Sequence, residues 1–337
     1  MENKLFGAEP SSRPKVLVTR KIPDAGLSLL LKSADVTILA ENHVPSKEAV
    51  IEAIRGKDAC ISLLTEVIDR EVLEAGLPSL KVVANYAVGF DNIDVKSATL
   101  LGIMVTNTPG VLTDATADLT WTLILSTARR VVEGDAFMRA GRYKAWAPEL
   151  LLGQGVAGKT LGIIGMGRIG RAVAKRSTGF DMRVLYYDER RDIDAEAEFK
   201  ATFVDIDTIF RESDVITVHV PLTDKTYHLI GEQAFAKMKP TAILVNSSRG
   251  PVIDENALVK ALREGRIAGA GLDVYENEPY MAPGLSELPN TVLLPHLGSA
   301  TFETRNRMAE MAAQNVLAAL RGEIPPNLVN PEVLPSP

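Results

Sequence analysis

From Lys15 onward the chain alternates short β-branched runs with segments whose apolar residues recur at helical spacing. The pattern predicts strands over Val16–Thr19, Val36–Leu39, Ala59–Leu64, Lys81–Asn85 and Ile103–Thr106. Helices from about Pro23, over Ser46–Arg55 and over Asp69–Glu74 fall between them. Repeated βα units with polar links describe a parallel sheet covered on both faces. A second series of strands is predicted over Thr160–Ile164, Arg183–Tyr187 or Val184–Asp188, Ala201–Val204, Val215–Val220, Ala242–Asn246, Gly269–Val274 and Val292–Leu294, enough for a full doubly wound sheet. No solenoid-type repeat is visible.

Between the two series, Thr113–Arg130 reads as a long helix opened by Thr-Asp and apolar nearly all round. Such a helix is buried on several sides, as a connector between domains or a helix shared with a second subunit would be. A Gly-interrupted arm follows, carrying Phe137, Trp146 and Leu150 to Leu152, whose apolar side chains would be exposed on a monomer. Homodimerisation is the sharper reading, packing on the chain's own second domain the alternative. The final helix, Thr301–Leu320, is long enough to cross back to the first domain. The expected division is therefore residues 1–107 plus 301–337 as a substrate (lid) domain and 108–300 as a cofactor domain. Hinges fall near Thr106–Gly110 and Leu297–Thr301, with the substrate in the cleft between domains and closure of the lid as the implied motion.

The length of 337 residues agrees with two cores. A net charge of −6 with acids and bases interspersed argues against nucleic acid. One cysteine, Cys60, excludes an intramolecular disulfide and suggests a reducing compartment. No apolar stretch approaches the roughly 18 residues of a spanning helix. Met1 to Pro14 lacks an apolar h-region and reads as a frayed leader, so a soluble, cytoplasmic protein is expected.

Gly165-Met166-Gly167-Arg168-Ile169-Gly170 follows a predicted strand and opens a helix, placed from about Arg171 to Thr178. The first glycine permits a tight turn, the second lets backbone approach a pyrophosphate, and the third lets helix press on strand. The helix N-terminus aims amides at the phosphates. Asp188, at the end of the next strand, stands roughly twenty residues on, where a ribose ligand belongs. The order describes a dinucleotide site.

In open α/β sheets ligands lie outside the carboxyl ends of strands. Of four histidines, His43 and His228 fall in polar loops and read as solvated. His219 and His296 end strands beside Pro221 and Pro295, and geometry alone leaves both as proton donors. Arg249 follows Ser247 and Ser248 and could offer a carboxylate its planar fork, unless it is a surface arginine paired with Asp254. Either Glu276 or Glu278 could stabilise an imidazolium. The turn Tyr86 to Asp91 could form an anion nest. Together these groups describe hydride transfer to a small keto acid. Metal-ligand spacing and G-x-S-x-G are absent from the sequence.

Val88-Gly89-Phe90-Asp91-Asn92-Ile93-Asp94, the glycine fingerprint, Val218 to Leu222, Asn246 to Gly250 with Asp254-Glu255, Gly271 to Pro279 and Pro295 to Thr301 resemble the D-isomer-specific 2-hydroxyacid dehydrogenases, over nearly the whole chain. The resemblance implies a flavodoxin-like substrate domain and a Rossmann cofactor domain. It implies Arg249 as carboxylate and carbonyl binder, Glu278 as acid partner and His296 as proton donor. His219, Val220 and Pro221 become cofactor-side residues. Thr113, Gly165, Gly167, Arg168, Ile169, Gly170, Asp188, Ser247, Ser248, Arg249, Asp273, His296, Gly298 and Ser299 would line the cofactor, and Val88 and Gly89 would donate to the substrate carboxylate.

Val111 to Leu119 and the arm Arg142 to Pro148 look like glyoxylate/hydroxypyruvate reductases, in which the arm's tryptophan, here Trp146, would reach a neighbouring subunit's substrate pocket. The implied reaction is reduction of glyoxylate or hydroxypyruvate to glycolate or D-glycerate. Some reductases of this group prefer NADPH, with small and basic residues where this chain has Asp188, so NAD(H) is favoured; Arg190 and Arg191 keep NADP(H) open. The alternatives are a dehydrogenase for 2-ketogluconate, phosphoglycerate or phosphite, or an NAD-sensing module like the corepressors that resemble this family.

Overall fold

The computed structural model describes residues 13–334, so most of the segment read as a leader lies outside the described residues. The chain divides into two compact units, Met1–Val111 with Thr301–Pro337, and Leu112–Ala300.

In the first unit β1 (Lys15–Arg20), α1 (Asp24–Leu31), β2 (Asp35–Ala40), α2 (Lys47–Ile54), β3 (Ala59–Ser62), α3 (Arg70–Ala75), β4 (Val82–Asn85), α4 (Val95–Leu100) and β5 (Met104–Thr106) follow in order. All strand pairs are parallel, in the order β2-β1-β3-β4-β5. The central strands β3 and β4 are buried at every position, whereas edge strand β2 is exposed at half of its positions. That is why the inner strands read as continuous apolar runs. The strand order reverses at β1 and β3, and the loop after β4 carries Val88 and Gly89 on the same carboxyl side.

The second unit contains α5 (Thr113–Ala128), α6 (Val131–Arg139), β6 (Thr160–Ile164), α7 (Arg168–Ser177), β7 (Arg183–Tyr187), α8 (Ile193–Phe199), β8 (Thr202–Phe203), α9 (Ile206–Glu212), β9 (Val215–Val218), α10 (Glu232–Lys237), β10 (Ile243–Asn246), α11 (Glu255–Arg263), β11 (Gly269–Leu272) and β12 (Thr291–Leu293). Its seven strands run parallel in the order β12-β11-β10-β9-β6-β7-β8. The order reverses between β6 and β9, the switch point where a doubly wound sheet opens a crevice. Separate apolar cores cover its two faces.

Several expectations are corrected. The fingerprint helix begins at Arg168, not Arg171, because Gly170 is accommodated inside its first turn; a propensity reading treats that glycine as part of the loop. The strand after α9 ends at Val218, leaving His219 to Pro221 beyond its carboxyl end. The helix Thr113–Ala128 is not apolar all round: Asp114 and Asp118 face outward and pair with Arg176 at 3.0 and 2.7 Å. Its buried face packs on α7, β10 and β11, so it is a core element of the second unit and not a connector. Gly271 makes room for it, since a Cβ there would meet Leu123 Cβ at 3.0 Å. The start of the arm is itself a helix, Val131–Arg139, with no buried residue. The last helix, α12 (Phe302–Leu320), packs on α1 inside the first unit, where Gly26 permits backbone contact with Ala309.

Candidate active site

The fingerprint turn needs its glycines for different reasons. Gly165 sits at φ +98°, and a Cβ there would lie 2.8 Å from the His219 carbonyl carbon. A Cβ on Gly170 would strike the Gly165 carbonyl oxygen. Gly167, the N-cap of α7, would project a Cβ into open space. No side chain caps this helix, so its first-turn amides face outward beside a glycine that leaves room for a phosphate group. Asp188 stands at the rim with one oxygen accepting from the Met166 amide at 2.7 Å and the other from Glu189 at 2.7 Å. These residues fit a dinucleotide.

Past β10, the buried Asn246 organises the turn that carries Arg249. Its Oδ1 accepts from the Ser248 amide and hydroxyl at 3.0 and 2.9 Å, and its Nδ2 donates to the Arg249 carbonyl at 2.9 Å. Gly250 lies against the Tyr275–Glu276 backbone so closely that any Cβ would overlap it. The arginine turn is thereby pressed onto the loop bearing both glutamates. Asp254 does not pair with Arg249; it caps α11 through the Ala257 amide at 2.9 Å.

The two glutamates, which spacing could not separate, take different partners. Glu278 Oε2 lies 3.0 Å from His296 Nδ1, while its Oε1 accepts from the Tyr275 amide at 3.2 Å. Glu276 Oε1 lies 2.8 Å from His228 Nε2, and its Oε2 accepts from the Glu255 amide at 3.2 Å. His228 is therefore not a solvated loop residue: it pairs with Glu276 and stacks on Tyr227 with ring centroids 4.1 Å apart. Burial works to raise the Glu278 carboxyl, but the His296 hydrogen bond and charge, the Tyr275 amide and the Arg249 charge hold it below the ordinary carboxylate range.

His296 adopts φ +57°, a left-handed conformation uncommon outside glycine, and its amide donates to the Asp273 carbonyl at 2.9 Å. Asp273, expected along the cofactor, is fully buried and its carboxylate accepts from the Leu297 and Gly298 amides at 2.6 and 2.8 Å. Burial pushes that carboxyl up, opposed by those amides and by the His296 charge. In this arrangement Asp273 holds the histidine loop in shape. Thr116 and Thr120 on α5 add to the support: Thr116 donates to the Gly298 carbonyl at 3.0 Å and Thr120 shares a 2.8 Å hydrogen bond with Ser247. Thr113 opens the same helix. Sequence reasoning missed Asn246, Thr116 and Thr120; the signal available was a threonine pair four residues apart in a mostly apolar helix.

His219 differs from His296. Both its ring nitrogens are shielded from solvent with no partner among the described residues, and burial pushes the imidazole down to about 3. It is neutral at neutral pH. Half-buried Val220 and exposed Pro221 follow it at the same sheet edge.

In the first unit, Asn107 donates to the Val88 carbonyl at 2.7 Å and Asn85 to the Gly89 carbonyl at 2.8 Å. The Val88 and Gly89 amides have no acceptor among the described residues. Trp146 is 79% exposed. Among the described residues no His, Cys, Asp and Glu cluster could hold a metal ion, and no helix is long and apolar enough to cross a membrane.

This arrangement of fingerprint, guanidinium and histidine–carboxylate pair on a parallel sheet defines a nicotinamide-dependent oxidoreductase. Residues 121–298 match the family described as D-isomer specific 2-hydroxyacid dehydrogenase, NAD binding domain. The chain is 53% identical to a glyoxylate reductase of Thermococcus litoralis over 96% of this chain and 99% of that protein. It is similar to the crystal structure of a Thermus thermophilus protein at 45% identity and TM-score 0.88, covering 94% of this chain and 99% of the other. An NADPH-dependent glyoxylate/hydroxypyruvate reductase from Sinorhizobium meliloti, crystallised with NADP and malonate, is 32% identical with TM-score 0.82, covering 96% and 98%. The chain belongs to the D-isomer-specific 2-hydroxyacid dehydrogenase family.

Proposed function

We propose that the protein reduces glyoxylate or hydroxypyruvate to glycolate or D-glycerate with NADH. The observation that carries this reading is the His296–Glu278 pair at 3.0 Å, beside an arginine turn and at the sheet edge where the fingerprint helix begins. Similarity to a glyoxylate reductase over nearly the full chain supports it.

When bound, the reduced nicotinamide supplies hydride to the keto carbon. The α7 amides and Gly167 hold the pyrophosphate and Asp188 the adenosine ribose. Arg249 presents its fork to the substrate carboxylate, with the Val88 and Gly89 amides donating to the same group. His296, oriented through Nδ1 by Glu278, gives the proton on Nε2 to the carbonyl oxygen. Neutral His219 has no proton to give in this way and serves the cofactor side. We assign Met1–Val111 with Thr301–Pro337 the role of substrate-binding lid that excludes water during reaction.

Preference for NAD(H) over NADP(H) rests on Asp188, whose carboxylate suits a ribose hydroxyl and repels a 2′-phosphate. The apolar arm, with Val131, Val132, Met138, Trp146 and Leu152 all more than half exposed, supports a homodimer in which Trp146 reaches the neighbouring subunit's pocket. One buried thiol, Cys60, fits a reducing cytoplasm.

The test is loss of nicotinamide absorbance with NADH or NADPH over a panel of glyoxylate, hydroxypyruvate, 2-ketogluconate and phosphohydroxypyruvate. Turnover of the first two with NADH above all other combinations is expected. Bound NADH with no turnover of any acid would instead mark an NAD-sensing binding protein.

A further inference from the structure

Beyond β7 an open depression of about 510 Å³ is lined by Met166, Asp188, Arg190, Arg191 and Asp192 among others. It adjoins the fingerprint turn through the Met166–Asp188 hydrogen bond, so it is where the adenosine ribose would lie under the reading above. Three cations stand at or near it, and two are already engaged. Arg171 of α7 grips both oxygens of Asp192 at 2.8 and 2.9 Å. Arg191 makes a two-pronged contact with Glu196, Nε to Oε1 and Nη2 to Oε2, both 2.7 Å. Exposed Arg190 has no partner among the described residues.

The Glu196 contact is built, not incidental. Its side chain is 18% exposed although that of Arg191 is 64% exposed, so the carboxylate is the fixed member of the pair. The hydroxyl of fully buried Tyr186 donates to Glu196 Oε1 at 2.8 Å and accepts from the Asp192 amide at 2.7 Å. Asp192 in turn caps α8, the helix that carries Glu196, through the Ala195 amide. The loop from Asp188 to Asp192 is thus tied at several points before any ligand arrives. With its Nε–Nη2 edge filled by Glu196, Arg191 keeps only its Nη1–Nη2 end for another anion, and its charge is already offset by the carboxylate.

We propose that Glu196 is a specificity-determining residue for the cofactor: it ties up the Nε–Nη2 edge of Arg191 and offsets its charge, so that a 2′-phosphate beside Asp188 has only Arg190, and not both guanidinium groups, to offset the carboxylate. The inference rests on the NAD(H) reading and adds a residue outside the ribose contact itself. Glu196 acts through Arg191 and is a positioning residue.

The experiment is calorimetric binding of adenosine 2′,5′-bisphosphate and 5′-AMP to the full-length protein, which needs no turnover. In Glu196→Gln the bisphosphate should bind about fivefold more tightly, the scale of one partly exposed charge pair, while 5′-AMP is unchanged. Adding Arg191→Ala to Glu196→Gln should return the ratio of the two affinities to its native value, because the gain comes from the released arginine. If Glu196→Gln leaves the ratio unmoved, or the double variant keeps the gain, the lock is refuted even though the native protein favours 5′-AMP. A native protein that favours the bisphosphate would instead overturn the NAD(H) reading, so the two failures are distinct.

Discussion

Nδ1 of His296 lies 3.0 Å from Oε2 of Glu278, and the other ring nitrogen, Nε2, has no partner among the described residues. One nitrogen is therefore anchored to an anion while the other is left to donate. The pair is the product of two loops, one ending β11 and one ending β12, joined beneath by Asp273.

His296→Ala should lower kcat by roughly 10²- to 10⁴-fold, the usual worth of a positioned general acid. NADH affinity, read by fluorescence titration, should stay near native. If His219→Ala abolishes turnover while His296→Ala retains it, the proton donor has been misassigned.

Glu278→Gln keeps the shape and removes the negative charge. The native carboxyl is held below its ordinary range by His296, so it is ionised throughout the working pH range. Without that charge the histidine loses the anion that orients it, and kcat for keto-acid reduction should fall roughly tenfold or more. A kcat that matches the native enzyme would count against the role given to Glu278.

Arg249→Lys keeps the charge and loses the fork. Because a charge-assisted hydrogen bond is worth ~1.5–3 kcal/mol, KM for the keto acid should rise about tenfold or more, with kcat falling too. Steady-state kinetics that match the native enzyme would remove Arg249 from the substrate site.

His219 makes a prediction about stability. Its imidazole sits at about 3 when folded, against 6.5 ordinarily. Between those values the unfolded chain binds a proton that the folded chain refuses, so stability falls as pH drops from about 6.5, by up to ~1.4 kcal/mol per pH unit. His219→Gln has no such proton, so the stability gap between native and variant should narrow on acidification. Urea unfolding of both from about pH 7.5 to about pH 5 checks this, and a gap independent of pH would contradict it.

The strands were legible because parallel inner strands are apolar throughout: β6 has the boundaries read from the sequence, and the others lie within one or two residues of them. Most of the shift is at carboxyl ends, where residues such as His219 and Val274 remain apolar-flanked after pairing has stopped. The start of α7 is not legible in the sequence because Gly170 is a close-packing glycine inside a helix, and propensity marks it as a breaker. The partners of Glu276 and Glu278 were not legible from spacing, since they depend on how the loop after β11 meets residues around 228 and 296. The same holds for Asp273, whose burial comes from neighbouring loops and not from its own strand.

The most direct test follows the hydride. NADH deuterated at the transferable C4 position is incubated with hydroxypyruvate and the product analysed for isotope and chirality. D-glycerate carrying one deuterium at C2 is the predicted product. Deuterium-free glycerate, the L-isomer, or no product from a protein that binds NADH would contradict the account.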